Sequence, residues 1–78
     1  MARLDRPIQY RKVRQGLEPA EILTPYDRRV LITNLVREGM TDQQISDLTL
    51  WTPYVVARLR DELYLQPNQP ARNEWIAA

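Results

Sequence analysis

From residue 25 onward the apolar positions recur at spacings of three and four. Leu31, Ile32, Leu35 and Val36 make one stripe, with Asp27, Asn34 and Glu38 facing away, which is the pattern of a helix that buries one side. Its limits are written beside it. Thr24 can cap the start, Pro25 suits a first turn because the N–H it lacks would be unpaired there, and Gly39 is placed to end the helix, so a helix is predicted over about 25–38. Thr41-Asp42-Gln43-Gln44 then reads as a capping box opening a second helix. That helix runs only to Leu48 or Thr49, with Ile45 and Leu48 as its buried pair, since Thr52-Pro53 is again a cap followed by a first-turn proline. The third helix, from Pro53 to about Tyr64, has Val55, Val56, Leu59 and Leu63 on one side and Pro53, Tyr54, Ala57, Arg58 and Asp61 on the other.

The flanks are patterned differently. In residues 1–20, Ile8, Tyr10, Val13 and Leu17 fit neither a helix period nor a strand period well, and Pro7, Gly16 and Pro19 interrupt them, so this part is expected to be an arm. After the third helix, Pro67 and Pro70 forbid a regular helix, and the tail is polar except for Trp75 and Ile76. The expected class is all-α: a small tri-helical domain over 21–66, a basic N-terminal arm over 1–20 and an extended C-terminal tail over 67–78. Tyr26 and Val30, off the main stripe of their helix, either pack with Trp75 and Ile76 or form a self-association patch.

Composition narrows the chemistry. At 78 residues the chain supports one core near the lower size limit, and with no Cys and no His it lacks disulfides, thiolate nucleophiles, imidazole bases and the common zinc ligands. No nucleophile–base pair and no glycine-rich phosphate loop is present, so neither an enzyme nor a cofactor or small-molecule substrate is expected. Asp42, Asp47, Asp61 and Glu62 are read as solvated surface acids rather than a hard-cation site, because no oxygen-rich loop accompanies them. No apolar run approaches the roughly 20 residues that span a bilayer, and a signal-type apolar region is absent, which predicts a cytoplasmic protein. The net charge of +1 hides an asymmetry: Arg3, Arg6, Arg11, Lys12 and Arg14 stand against Asp5 alone in the first 17 residues.

Three helices joined by short connections, the second much shorter than the third, make an arrangement in which the third can lie in a major groove. The stretch 37–68 resembles the helix-turn-helix of homeodomain-like DNA-binding proteins of bacteria and bacteriophages, and the resemblance covers about residues 25–66, a little over half the chain. The family's Ile-Ala pair, Gly-hydrophobic-Ser turn and Thr-Val-Arg helix are matched here by Ile45-Ser46, Leu50-Trp51-Thr52 and Val56-Ala57-Arg58. Leu50 stands where a turn glycine is common, so the turn is expected to differ in conformation. Trp51 replaces a smaller residue and either fills a gap between helices or projects from the turn, core packing being favoured.

The resemblance implies a transcription regulator or phage-type accessory protein, such as a repressor, that binds double-stranded DNA and gains specificity from dimerisation or adjacent sites. Arg58 would donate twice to a guanine, and Tyr54 would touch phosphate or a base edge. Thr52 and the helix N-terminus would hold a phosphate, Arg60 on the flank would meet the backbone, and Pro53 and Ala57 would allow close approach to a thymine methyl. Arg3, Arg6, Arg11, Lys12 and Arg14 would enter a neighbouring minor groove. The rival reading is a protein-interaction module offering Trp51, Tyr54 and Val55, favoured by near-neutral charge and by Asp61 and Glu62.

Overall fold

The computed structural model describes residues 3–69, and these residues form four α-helices and no strand. Helix α1 spans Pro7–Arg14, α2 Pro25–Arg37, α3 Asp42–Thr49 and α4 Pro53–Glu62; a single 3₁₀ turn, Ala20–Ile22, joins α1 to α2. The last three helices begin and end within two residues of where the pattern predicts them. Thr24 Oγ1 accepts from Asp27 N–H, Thr52 Oγ1 accepts from Val55 N–H, and both halves of the Thr41/Gln44 capping box are made. Gly39, at φ +91°, closes α2 by letting Met40 N–H reach back to Leu35 C=O.

The arm expected at residues 1–20 is instead largely structured, because α1 occupies its centre. Only Tyr10 and Val13 of α1 are buried, while Ile8 and Leu17 are 62% and 68% exposed, so half of the apolar residues that blurred the period face solvent. The N-terminus of α1 has no cap of its own, since Arg6 makes no side-chain cap bond. It is capped from α2: Asp27 Oδ1 accepts Asp5 N–H at 2.8 Å and Asp27 Oδ2 accepts Arg6 N–H at 2.7 Å. Thr24 Oγ1 completes the clamp by donating to Asp5 Oδ2 at 2.8 Å. Asp27 therefore does not face away from the core as its place off the apolar stripe implied; it is fully buried, with both oxygens bonded.

Around this clamp a single core collects Tyr10 and Val13 of α1, Ala20, Leu23, Leu31, Ile32 and Leu35 of the middle segment, and Ile45, Trp51 and Val56 of the C-terminal half. Helix α4 packs on α2 and α3, and α1 packs on α3. Asn34 Nδ2 donates to the Tyr10 hydroxyl at 2.8 Å, giving the buried aromatic ring a polar anchor on α2. After α4, Tyr64 takes the left-handed conformation at φ 57° and Leu65 N–H returns to Arg60 C=O. The chain then runs without regular structure to Gln69, and Asn68 Nδ2 donates to Val36 C=O and Met40 C=O at 2.8 and 2.9 Å. The first residues of the expected tail are thus fastened to the end of α2, whereas Trp75 and Ile76 lie outside the described residues. No helix among the described residues is long and apolar enough to cross a membrane.

Candidate nucleic-acid interface

The connection between α3 and α4 is three residues, Leu50-Trp51-Thr52, and its conformation is set by buried side chains on both sides. Leu50 adopts φ 67°, ψ 11°, the left-handed geometry that glycine reaches more cheaply. The missing glycine therefore leaves the turn with a positive φ. The cost is offset locally, because Ser46 Oγ donates to Trp51 C=O, Thr49 Oγ1 donates to Ile45 C=O at 2.7 Å, and Trp51 N–H donates to Thr49 Oγ1 at 3.3 Å. Trp51 is buried in the core, so it fills the gap between helices rather than projecting. From the sequence Ser46 reads only as the second member of an Ile-Ala-type pair and Thr49 only as an end of the short helix; their bonds to the turn are not anticipated there.

This turn aims α4. Its outward side carries Thr52, Pro53, Tyr54 and Arg58, all exposed, with Ala57 half-buried between them. Tyr54 is 74% exposed, an unusual placement for a large aromatic in so small a core. The Thr52 oxygen already accepts Val55 N–H, which leaves the hydroxyl proton free to donate. Tyr54, Ala57, Arg58, Asp61 and Glu62 line a shallow open depression along the helix. Arg58 Nε is 3.6 Å from Glu62 Oε2, an exposed i,i+4 pair of the kind worth about 0.3–0.5 kcal/mol, so the guanidinium can be drawn away from it at small cost.

Arg60 is not part of this surface. Two positions beyond Arg58 it lies on another side of α4, nearly buried, where Nε and Nη2 bond Asp42 Oδ1 and Oδ2 at 3.0 and 3.1 Å. Its Nη1 donates to Asp61 Oδ1 and to Leu65 C=O. Hydrogen bonding to Asp42 raises the Arg60 pKa above its ordinary value against the opposing effect of burial. The expected backbone contact is corrected accordingly, since every nitrogen of this guanidinium already has a partner and its plane is locked between α3 and the turn after α4.

The basic residues of the N-terminal segment are dispersed rather than gathered in a flexible arm. Arg3 and Arg6 are exposed ahead of α1, and Arg11 and Lys12 are exposed on its last turns, where positive charge complements the helix C-terminus. Arg14 is half-buried and pairs with Glu38 at 2.7 Å, and this hydrogen bond raises its pKa. A minor-groove arm that includes residues 7–14 is therefore inconsistent with a helix packed on α3. No group of three or more acidic residues that could hold a metal occurs among the described residues. Comparison of the chain with protein-family models, with curated proteins and with solved structures gives no match in any of the three.

Proposed function

We propose that α3, the Leu50-Trp51-Thr52 turn and α4 act as a helix-turn-helix that binds double-stranded DNA, with α4 in the major groove. The observation that carries this reading is the pairing of a rigid, internally bonded turn with an outward α4 face of Thr52, Pro53, Tyr54, Ala57 and Arg58. Arg58 reads a guanine through O6 and N7, Tyr54 reaches a base edge or phosphate, and the Thr52 hydroxyl donates to a phosphate beside the α4 N-terminus. Pro53 and Ala57 keep the approach close. Exposed Arg3, Arg6, Arg11 and Lys12 add to the long-range field that draws DNA in, rather than forming an arm. The role is that of a cytoplasmic regulator of phage or bacterial type, without catalysis.

A second reading has its own observation. Asp61 and Glu62 border Arg58 on the same face, and two carboxylates beside one guanidinium suit a protein partner better than a phosphate backbone. A titration of the intact protein against DNA from around its own gene, at low and moderate salt, separates the two. Under the DNA reading binding falls steeply with salt, Arg58→Ala abolishes sequence preference, and Arg11→Ala/Lys12→Ala weakens all sequences alike. A folded protein that ignores DNA at low salt sinks that reading and leaves the interaction module.

A further inference from the structure

The outer side of α2 carries a second open groove that shares no lining residue with the depression on α4. Tyr26, Val30 and Leu63 supply its apolar lining, Arg29 and Arg37 its charge, and no carboxylate is among its lining residues. Tyr26, Val30 and Arg37 follow at spacings of four and seven, so they share one stripe along α2. The uncharged polar side chains of the groove are engaged within the fold: Thr33 Oγ1 donates to Arg29 C=O and Asn34 Nδ2 to the Tyr10 hydroxyl, both at 2.8 Å. Arg29 and Arg37 differ. Both are exposed, and among the described residues neither has an ion-pair partner, whereas Arg14, Arg58 and Arg60 each pair with a carboxylate.

We propose that this groove docks an acidic, apolar segment of another protein, a short run in which Asp or Glu brackets one or two large apolar side chains. An apolar patch edged by polar residues is the mark of a protein-contact surface. The groove holds about 260 Å³ and is open, which suits one or two side chains and falls short of the roughly 300–1,000 Å³ that encloses a small-molecule ligand. Charge then selects the kind of macromolecule. A second copy docked about a two-fold axis on the same patch would set Arg29 and Arg37 against their own counterparts, with no lining carboxylate to offset them. A DNA backbone would satisfy both guanidinium groups but leave Tyr26, Val30 and Leu63 against phosphate. An acidic segment with apolar residues satisfies both parts of the groove. Leu63 comes nine residues after Tyr54, about two and a half helical turns, so it lies on the opposite side of α4 from Tyr54. The groove can therefore be filled while the outward α4 face is occupied, and the proposal holds whichever partner that face takes.

Selection of displayed random peptides, about as long as α2, on the immobilised full chain tests the proposal. The enriched peptides should combine Asp or Glu with Leu, Phe or Trp. In nuclear magnetic resonance, a synthetic peptide of that consensus should move the Val30 and Leu63 methyl resonances and leave the Ala57 methyl in place. Arg29→Glu with Arg37→Glu, at two exposed side chains, should leave the fold intact and lower the peptide's affinity about tenfold or more. The same double variant should instead take up a peptide in which Lys replaces each acid. No enrichment on the folded chain, a consensus without acids, or a peptide that moves Ala57 in place of Val30 and Leu63 overturns the proposal. So does a different occupant: Val30 and Leu63 methyls that shift on dilution of the peptide-free chain, that respond to double-stranded DNA as strongly as Ala57, or that contact the Trp75 indole of the same chain.

Discussion

Helices α1 and α3 are each eight residues long and rest on one another, yet they are held by opposite kinds of information. Helix α3 carries its own instructions: Thr41 and Gln44 close a capping box within four residues, and Ser46 and Thr49 bond the turn that follows. Helix α1 follows an N-cap, Arg6, that makes no side-chain cap bond, and the N–H groups of Asp5 and Arg6 that lead into the helix are bonded by Asp27, 22 and 21 residues away. A helix of two turns is marginal in isolation. The comparison shows two ways around that limit, local capping for α3 and a borrowed carboxylate for α1. The second makes α1 conditional on the rest of the fold.

The strongest way to break the comparison is Asp27→Ala. It removes an acceptor for two backbone N–H groups and for none of α3's bonds, and charge-assisted bonds of this kind contribute about 1.5–3 kcal/mol each. The expected loss is about 3 kcal/mol in urea unfolding, with hydrogen-exchange protection of α1 collapsing before that of α3. Equal loss of protection in both helices would mean that α1 is not conditional in this way. Next in size is Arg60→Ala, which strands Asp42 at the start of α3 and frees Leu65 C=O; about 2 kcal/mol is expected. The same substitution should leave the sequence preference of any DNA binding unaltered, in contrast to Arg58→Ala, because the Arg60 guanidinium is committed to Asp42, Asp61 and Leu65 C=O.

How much of this was legible in the sequence follows from the range of each interaction. The limits of α2, α3 and α4 were readable because Thr24, Thr41, Thr52 and Gly39 act on backbone groups within a few residues of themselves. The outward placement of Tyr54, Arg58 and Asp61 followed from the helical period alone. Helix α1 was not legible, since its stripe is only Tyr10 and Val13 and its cap comes from across the fold. Arg60 was misplaced for the same reason: its partner Asp42 is 18 residues away, and nothing near Arg60 distinguishes it from a solvated arginine. Leu50 misled differently. Its propensity argued against a positive φ, but burial of Trp51 and the Ser46 and Thr49 bonds impose one.

That imposed strain gives a prediction of opposite sign on the local side of the comparison. Leu50 is 72% exposed at φ 67°, so Leu50→Gly gives up little packing and relieves a left-handed cost of about 1–2 kcal/mol. Part of the gain is lost to the greater freedom of glycine in the unfolded chain, leaving a net stabilisation of about 0.5–1 kcal/mol. Thermal unfolding should show a higher Tm; a lower one would mean that the Leu50 side chain contributes more than its exposure implies.

The smallest effect on stability is expected from Glu62→Gln, and it separates stability from function on α4. The substitution removes an exposed ion pair with Arg58, and unfolding should shift by no more than about 0.5 kcal/mol. It also frees the Arg58 guanidinium and deletes a negative charge from the outward face. If that face meets DNA, affinity should rise at low salt, and the rise should shrink as salt screens the charge. If it meets a protein through its carboxylates, the same change weakens capture while stability stays level, so a single substitution in a region that hardly contributes to folding discriminates what the region is for.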